Sequence, residues 1–158
     1  HNIQTALADA TSRGARLVHG GQQPEGLGDG WYYEPTVVAC PSQDLGIVRN
    51  ELFGPVVSAL RFRDEEEAIR LANDSRFGLA AGVFSGNLGR ALRVTQALRC
   101  GIVWVNTYRA VSFMAPFGGY KRSGLGRESG QQAIKEYMQT KTVWVSTASE
   151  MPNPFVMR

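Results

Sequence analysis

Two stretches of the sequence bring together residue types that could do chemistry. The first, MAPFGGYKRSGLGRESG at 114–130, holds five glycines, three cationic side chains and one acid. Glycines in such a run let backbone amides approach a phosphate, so the phosphate-binding spacings are the first to test. A dinucleotide fingerprint needs G-x-G-x-x-G; Gly124 and Gly126 supply two of the glycines, but Ser129 stands where the third must be. A P-loop fails at Leu125, which occupies the lysine position although Gly119 and Gly124 keep the spacing. What remains is Pro116-Phe117 ahead of Gly118-Gly119. A stiff bend and a large ring, followed by backbone that can fold closely, suit an aromatic wall aimed at a site.

The second stretch is NELFGPVVS at 50–58. The Glu51 carboxylate can accept two hydrogen bonds from a ribose diol, and the Phe53 face can pack on a flat heterocycle, while Gly54-Pro55 forces a turn into the strand that follows. By residue type alone, Glu51 also reads as an exposed acid and Phe53 as a core ring. Other reactive types promise less. His1 is terminal and His19 has no second ligand at metal spacing, so no metal site is expected. Cys40 and Cys100 lack a neighbouring histidine and form no CxxC pair, and both read as small buried hydrophobes in a reducing, cytoplasmic protein. Trp104 and Trp144 read as core or interface packing.

These residues need a scaffold, and the hydrophobic pattern outlines one. Residues 2–13 read as a helix ending at Gly14, 16–19 as a strand, 20–30 as a glycine-rich surface loop and 31–40 as strand-like around Pro35. Beyond them, 56–62 reads as a strand and 64–75 as a helix capped by Asp64, with Glu67 three residues on. The next strand is 80–85, then a helix capped by Asn87 with Leu88, Ala91, Leu92, Thr95 and Leu98 inward, then a strand at 101–106. This alternation predicts an α/β fold: a parallel sheet with helices on both faces, built by right-handed crossovers. The loop 107–127 leaves a strand's carboxyl end, where such sheets place ligands. A helix over 128–138 and a β-branched strand at 141–146 follow. Glu128 would then sit at a helix N-terminus as a cap.

The chain has 158 residues, 43% hydrophobic and 20% charged, with net charge +3. That excludes a disordered chain, and no apolar run reaches the roughly 20 residues of a membrane span. Its cations are scattered rather than striped with aromatics, which argues against nucleic-acid binding. The first residues read as a helix entered mid-chain, so the sequence is expected to be a fragment of something longer.

Taken together, these stretches resemble the C-terminal part of the aldehyde dehydrogenase superfamily. NELFGPVV is similar to its E-x-F-G-P cofactor motif, FGLAAGVFS to its F/Y-G-L-x-x-x-V-F segment, GIVWVNT to the strand before its active-site loop, PFGGYKRSGLGRESG to its P-F-G-G-x-K-x-S-G-x-G-R-E-x-G block and KTVWV to its closing strand. The resemblance implies residues 1–139 as catalytic domain and 140–158 as oligomerisation strand and tail. It implies that Glu51 holds the nicotinamide ribose of NAD or NADP and that Phe53 packs beside it. Phe117 and Val111 would line an aldehyde tunnel, Val111 leaving room for bulkier aldehydes, with Phe113 also in view. Asn106 would shape the loop, and Glu128 matches an acid proposed as a proton relay. The closing strand would pair with a partner's sheet in a homodimer or homotetramer. The implied reaction is oxidation of an aldehyde through a cysteine thioester. Its nucleophile (G-Q-x-C) and base (E-L-G-G) contexts do not occur in these residues, so the chain alone is expected to be inactive. Acyl-CoA-forming or phosphorylating chemistry, and a non-catalytic assembly module, are the alternatives.

Overall fold

The computed structural model describes residues 2–150, 153 and 155. Helix α1 (Asn2–Ser12) ends where expected, and Gly14 takes a φ of +91° to turn the chain into β1 (Arg16–His19). Strand β1 pairs antiparallel with β2 (Thr36–Ala39), which pairs in parallel with β3 (Val56–Ala59) across the one-turn helix α2 (Gly46–Arg49). This half holds the buried core: Leu7 and Ala10 of α1 meet Ala15, Val38, Cys40, Leu45 and Ile47. Val38 is wholly buried, worth about 1.5–3 kcal/mol of transfer free energy. Cys40 lies in this core, as its sequence surroundings predict.

Helix α3 (Glu65–Asn73) opens with the expected cap, the Glu67 amide donating to Asp64 Oδ1 at 2.8 Å. The Glu67 carboxylate accepts in turn from the Arg63 amide at 2.9 Å. After β4 (Phe77–Gly78) comes β5 (Ala80–Val83), then α4 (Leu88–Ala97), capped by Asn87 Oδ1 accepting from the Arg90 amide at 2.9 Å. Strand β6 (Ile102–Val105) returns parallel to β5, the crossover expected from the alternation. Short β7 (Tyr120–Lys121) pairs antiparallel with β4, and a 3₁₀ helix (Gln131–Tyr137) follows.

The expected single parallel sheet is instead three small sheets, β1-β2-β3, β4-β7 and β5-β6, and two of the pairings are antiparallel. Strand β3 ends at Ala59, short of the expected 62, and bonds only β2, so β5-β6 stands as a separate sheet. The strand-like run 31–40 shortens to four residues, since Pro35 lacks the ladder's N–H. Of α4's expected inward residues only Ala91 is buried, and Leu88 and Leu92 are exposed. The helix expected at 128–138 starts at Gln131 and is 3₁₀. Residues 141–146, expected as a strand, lie outside any strand, with Val143, Trp144 and Val145 exposed. Their β-branched side chains pair with no sheet edge among the described residues. No helix among the described residues is long and apolar enough to cross a membrane.

Candidate functional site

The loop that leaves β6 is fixed at its first residue. Asn106 takes a φ of +53°, and its side chain closes a two-way bridge to Ser85 beyond β5. Its Oδ1 accepts from the Ser85 amide at 2.8 Å and its Nδ2 donates to the Ser85 carbonyl at 3.0 Å. The amide side chain thus extends the β5–β6 ladder by one rung, and asparagine tolerates the left-handed backbone that the bend requires. Trp104 holds the next turn: its indole N–H donates to the Ala110 carbonyl at 2.7 Å and its ring meets Tyr108 edge-on at 5.5 Å.

The glycine-rich part is stitched down in the same way. The amides of Phe117 and Glu128 each donate to the other's carbonyl at 2.7 Å, closing an antiparallel bridge across the loop's neck. The Gly130 amide donates to the Phe113 carbonyl at 2.8 Å. Lys121 reaches the carboxyl end of α3, donating from Nζ to the Asn73 and Ser75 carbonyls at 2.9 and 3.0 Å. Ser123 Oγ accepts from the Gly78 amide at 3.0 Å. Gly118 is required by proximity, because a Cβ there would lie 2.7 Å from the Gly126 carbonyl oxygen and 2.8 Å from Arg127 Cδ. The Arg127 guanidinium donates to the Gly119 and Gly126 carbonyls at 3.1 and 2.6 Å and lies over the Tyr120 ring.

Among the described residues five non-glycine residues have positive φ: Phe53, Asn106, Arg109, Lys121 and Ser129. Phe53, Lys121 and Ser129 lie in the two stretches that residue type and spacing singled out, and Asn106 and Arg109 lie where the loop that carries the second leaves β6. Such backbone costs about 1–3 kcal/mol at each residue and persists where the surroundings over-determine it, which is typical of ligand sites.

Two hollows flank the loop. The larger, about 490 Å³, is bounded by Leu79, Trp104, Tyr108, Arg109, Val111 and Phe117 with the small residues of β5. The smaller, about 340 Å³, places Glu128 beside Val111, Phe113 and Phe117. Phe117, half-buried, and Val111, exposed, therefore wall both. Glu128 is not a helix cap: it precedes the 3₁₀ helix by three residues and its backbone is committed to the bridge with Phe117.

Glu51 lies apart, on a cleft of about 600 Å³ with Asn50, Cys100, Arg122 and Ser123. The two stretches are linked through Arg76, whose guanidinium donates to Asn50 Oδ1 at 2.6 Å while its carbonyl accepts from the Arg122 amide at 3.0 Å. Among the described residues Glu51 makes no hydrogen bond or ion pair. Phe53 is 93% exposed at φ 52°, so it is not the core ring that its type also allowed. An unpartnered carboxylate and a presented ring fit a ribose and a flat heterocycle. Neither cysteine is primed for attack: Cys40 is buried, and desolvation pushes the Cys100 thiol up, outweighing the opposing pull of Lys121.

Sequence reasoning missed Tyr108, Arg109, Lys121 and Arg76 as site-building residues and took Trp104 for packing. The run T-Y-R directly after a strand end was the available signal for Tyr108 and Arg109. Lys121 and Arg76 act through backbone carbonyls and a distant amide, which leave no pattern in sequence. Trp144, at 92% exposure, packs in no core.

The family model described as aldehyde dehydrogenase family matches residues 1–143. The chain is 50% identical over 158 residues, 99% of its own length, to the (Z)-2-((N-methylformamido)methylene)-5-hydroxybutyrolactone dehydrogenase of Acinetobacter baylyi, and spans 32% of that protein. Among solved structures, betaine aldehyde dehydrogenase from Staphylococcus aureus in complex with NAD+ superposes with a TM-score of 0.88 at 41% identity, covering 98% of this chain and 31% of that one. An aldehyde dehydrogenase of Mycobacterium tuberculosis complexed with NAD+ matches with a TM-score of 0.85 at 37% identity, covering 95% of this chain and 31% of that one. The chain thus spans about a third of the length of these relatives.

Proposed function

Because the chain belongs to the aldehyde dehydrogenase family, we propose that it forms the C-terminal part of a catalytic domain that oxidises an aldehyde to its carboxylic acid with NAD. The observation that supports this most is that Phe117 and Val111, on a loop stitched to the carboxyl end of the β5–β6 pair, wall the same hollows. In this reading they form the tunnel by which an apolar aldehyde is held and water kept away. Asn106 positions that wall through its bridge to Ser85.

The NAD nicotinamide, when bound, supplies the hydride acceptor. Glu51 would accept hydrogen bonds from the ribose hydroxyls, and Phe53 would pack against the nicotinamide end, their backbone positioned by the Gly54-Pro55 turn. Glu128, which lines the smaller hollow with Phe117, would exchange a proton with water or substrate there. The nucleophile and general base would belong to segments other than these 158 residues, since Cys40 is buried and desolvation pushes the Cys100 thiol up. The exposed Val143, Trp144 and Val145 support a closing strand that completes itself against a partner's sheet edge, giving a homodimer or homotetramer.

The test is NADH formation at saturating NAD over a panel of aldehydes. The full-length protein is expected to produce NADH and acid, and the 158-residue chain neither. Absence of turnover by the full-length protein, or turnover by the chain alone, overturns the reading.

A further inference from the structure

The larger hollow is apolar except for one charge. Its lining holds Leu79, Trp104, Tyr108, Val111 and Phe117 together with the exposed Arg109, and no aspartate or glutamate. Among the described residues Arg109 has no hydrogen bond or ion pair. Its backbone is held on both sides: Tyr108 meets the Trp104 ring, and the Ala110 carbonyl accepts from the indole N–H at 2.7 Å. Arg109 itself has a φ of 58°, a conformation that side-chain-bearing residues leave unless the flanking contacts hold it. An arginine whose backbone is held at an apolar hollow while its side chain is exposed, with no carboxylate of its own, lacks its natural partner. Arginine pairs with carboxylates through two parallel hydrogen bonds, and apolar walls strengthen that pairing by lowering the local dielectric.

We infer that Arg109 is a specificity-determining residue that selects aldehydes carrying a carboxylate remote from the formyl group, the chain between them lying on Phe117 and Val111. This rests on the aldehyde-tunnel reading of the hollow. The same charge disfavours aldehydes with a quaternary ammonium.

Two experiments separate this inference from the reading beneath it. In the 158-residue chain, the Arg109 Nε–Hε resonance, identified by its loss in Arg109→Gln, is followed by NMR while hexanoate or hexanamide is added. Hexanoate is expected to shift it saturably and hexanamide not. No saturable shift, or equal shifts with both, overturns the inference whatever the enzyme does. In the full-length protein, kcat and KM are compared for 6-oxohexanoate, hexanal and a trimethylammonio aldehyde. Arg109→Gln is expected to raise KM for 6-oxohexanoate about 10- to 100-fold more than it raises that for hexanal, with partial recovery in Arg109→Lys. Equal losses for both substrates, or a wild-type preference for the cationic aldehyde, overturn it. If no aldehyde is turned over, the functional reading falls and the NMR titration still decides whether Arg109 binds carboxylates.

Discussion

Substituting Gly101 by alanine tests whether the loop is held by direct backbone contact with β6. The Gly101 amide donates to the Gly78 carbonyl at 3.1 Å, and its missing Cβ leaves space that the Gly118 carbonyl oxygen occupies. A Cβ there overlaps that oxygen and lies 2.8 Å from the Gly118 carbonyl carbon and 3.3 Å from the Leu79 oxygen. These are backbone atoms, so no rotamer change relieves the clash. Either β6 slides along β5 or the 116–119 segment lifts. Forced overpacking of this kind costs about 1–3 kcal/mol. With a urea slope of about 2 kcal/mol per molar, the midpoint should fall by about 0.5–1.5 M. Gly86→Ala is the control, since nothing lies within 4 Å of its Cβ position; its effect should stay within about 0.5 kcal/mol. Hydrogen exchange locates the damage: the Phe117 and Glu128 amides, which bridge at 2.7 Å, should lose protection in Gly101→Ala and keep it in Gly86→Ala. A Gly101→Ala midpoint within about 0.2 M of the parent, with both amides still protected, would refute the reasoning.

Asn106→Ala removes two hydrogen bonds to Ser85 and puts a less tolerant residue at φ +53°, so it should cost about 2–3 kcal/mol in urea unfolding. Asn106→Gly, which loses the bonds but keeps the backbone freedom, should cost measurably less, and equal costs would deny the backbone contribution. Acid should weaken the fold through Glu65, Glu67 and Asp74, whose pKa values are lowered chiefly by hydrogen bonds from Arg93, Arg63 and Arg49 respectively. These carboxylates hold fewer protons folded than unfolded. Their contribution is therefore complete above the ordinary values of 4.5 and 3.8 and is lost as pH falls through the lowered ones. The urea midpoint should be flat from about pH 6 to pH 5 and fall below that; a midpoint that rises on acidification contradicts the pairing.

What was legible in sequence is what depends on neighbours in sequence. Asp64 and Asn87 announce their helices because a cap acts over three residues, and Gly14 ends α1 because a left-handed turn follows directly. The β5-α4-β6 crossover is legible for the same reason, each element being long enough to show its period. The two-residue ladder of Phe77–Gly78 with Tyr120–Lys121 is not, because two residues have no period and their pairing spans some forty positions. The break into three sheets escaped as well, since strand order depends on which edges meet in space. Within the site, Phe117, Val111 and Glu128 line one hollow. Arg109 stayed hidden because an arginine in a loop reads as a solvated charge until the apolar hollow around it is seen.

The local geometry at Phe53 supports the proposed division of labour between backbone and side chain. Gly54 has no Cβ, and one built there would lie 2.5 Å from Ile3 Cδ1, so α1 packs directly on the turn. The Val56 amide donates to the Gly54 carbonyl at 2.8 Å, and β3 continues in register with β2 from Val56 onward. The backbone beside Phe53 is thus tied to the buried core. The ring itself is left at 93% exposure on a left-handed residue. Folding alone would favour the reverse, since burying such a ring contributes about 1.5–3 kcal/mol and relaxing its φ about 1–3 kcal/mol more. A held backbone presenting an uncovered ring, two residues from an unpartnered carboxylate, is the arrangement a bound heterocycle and its ribose would complete.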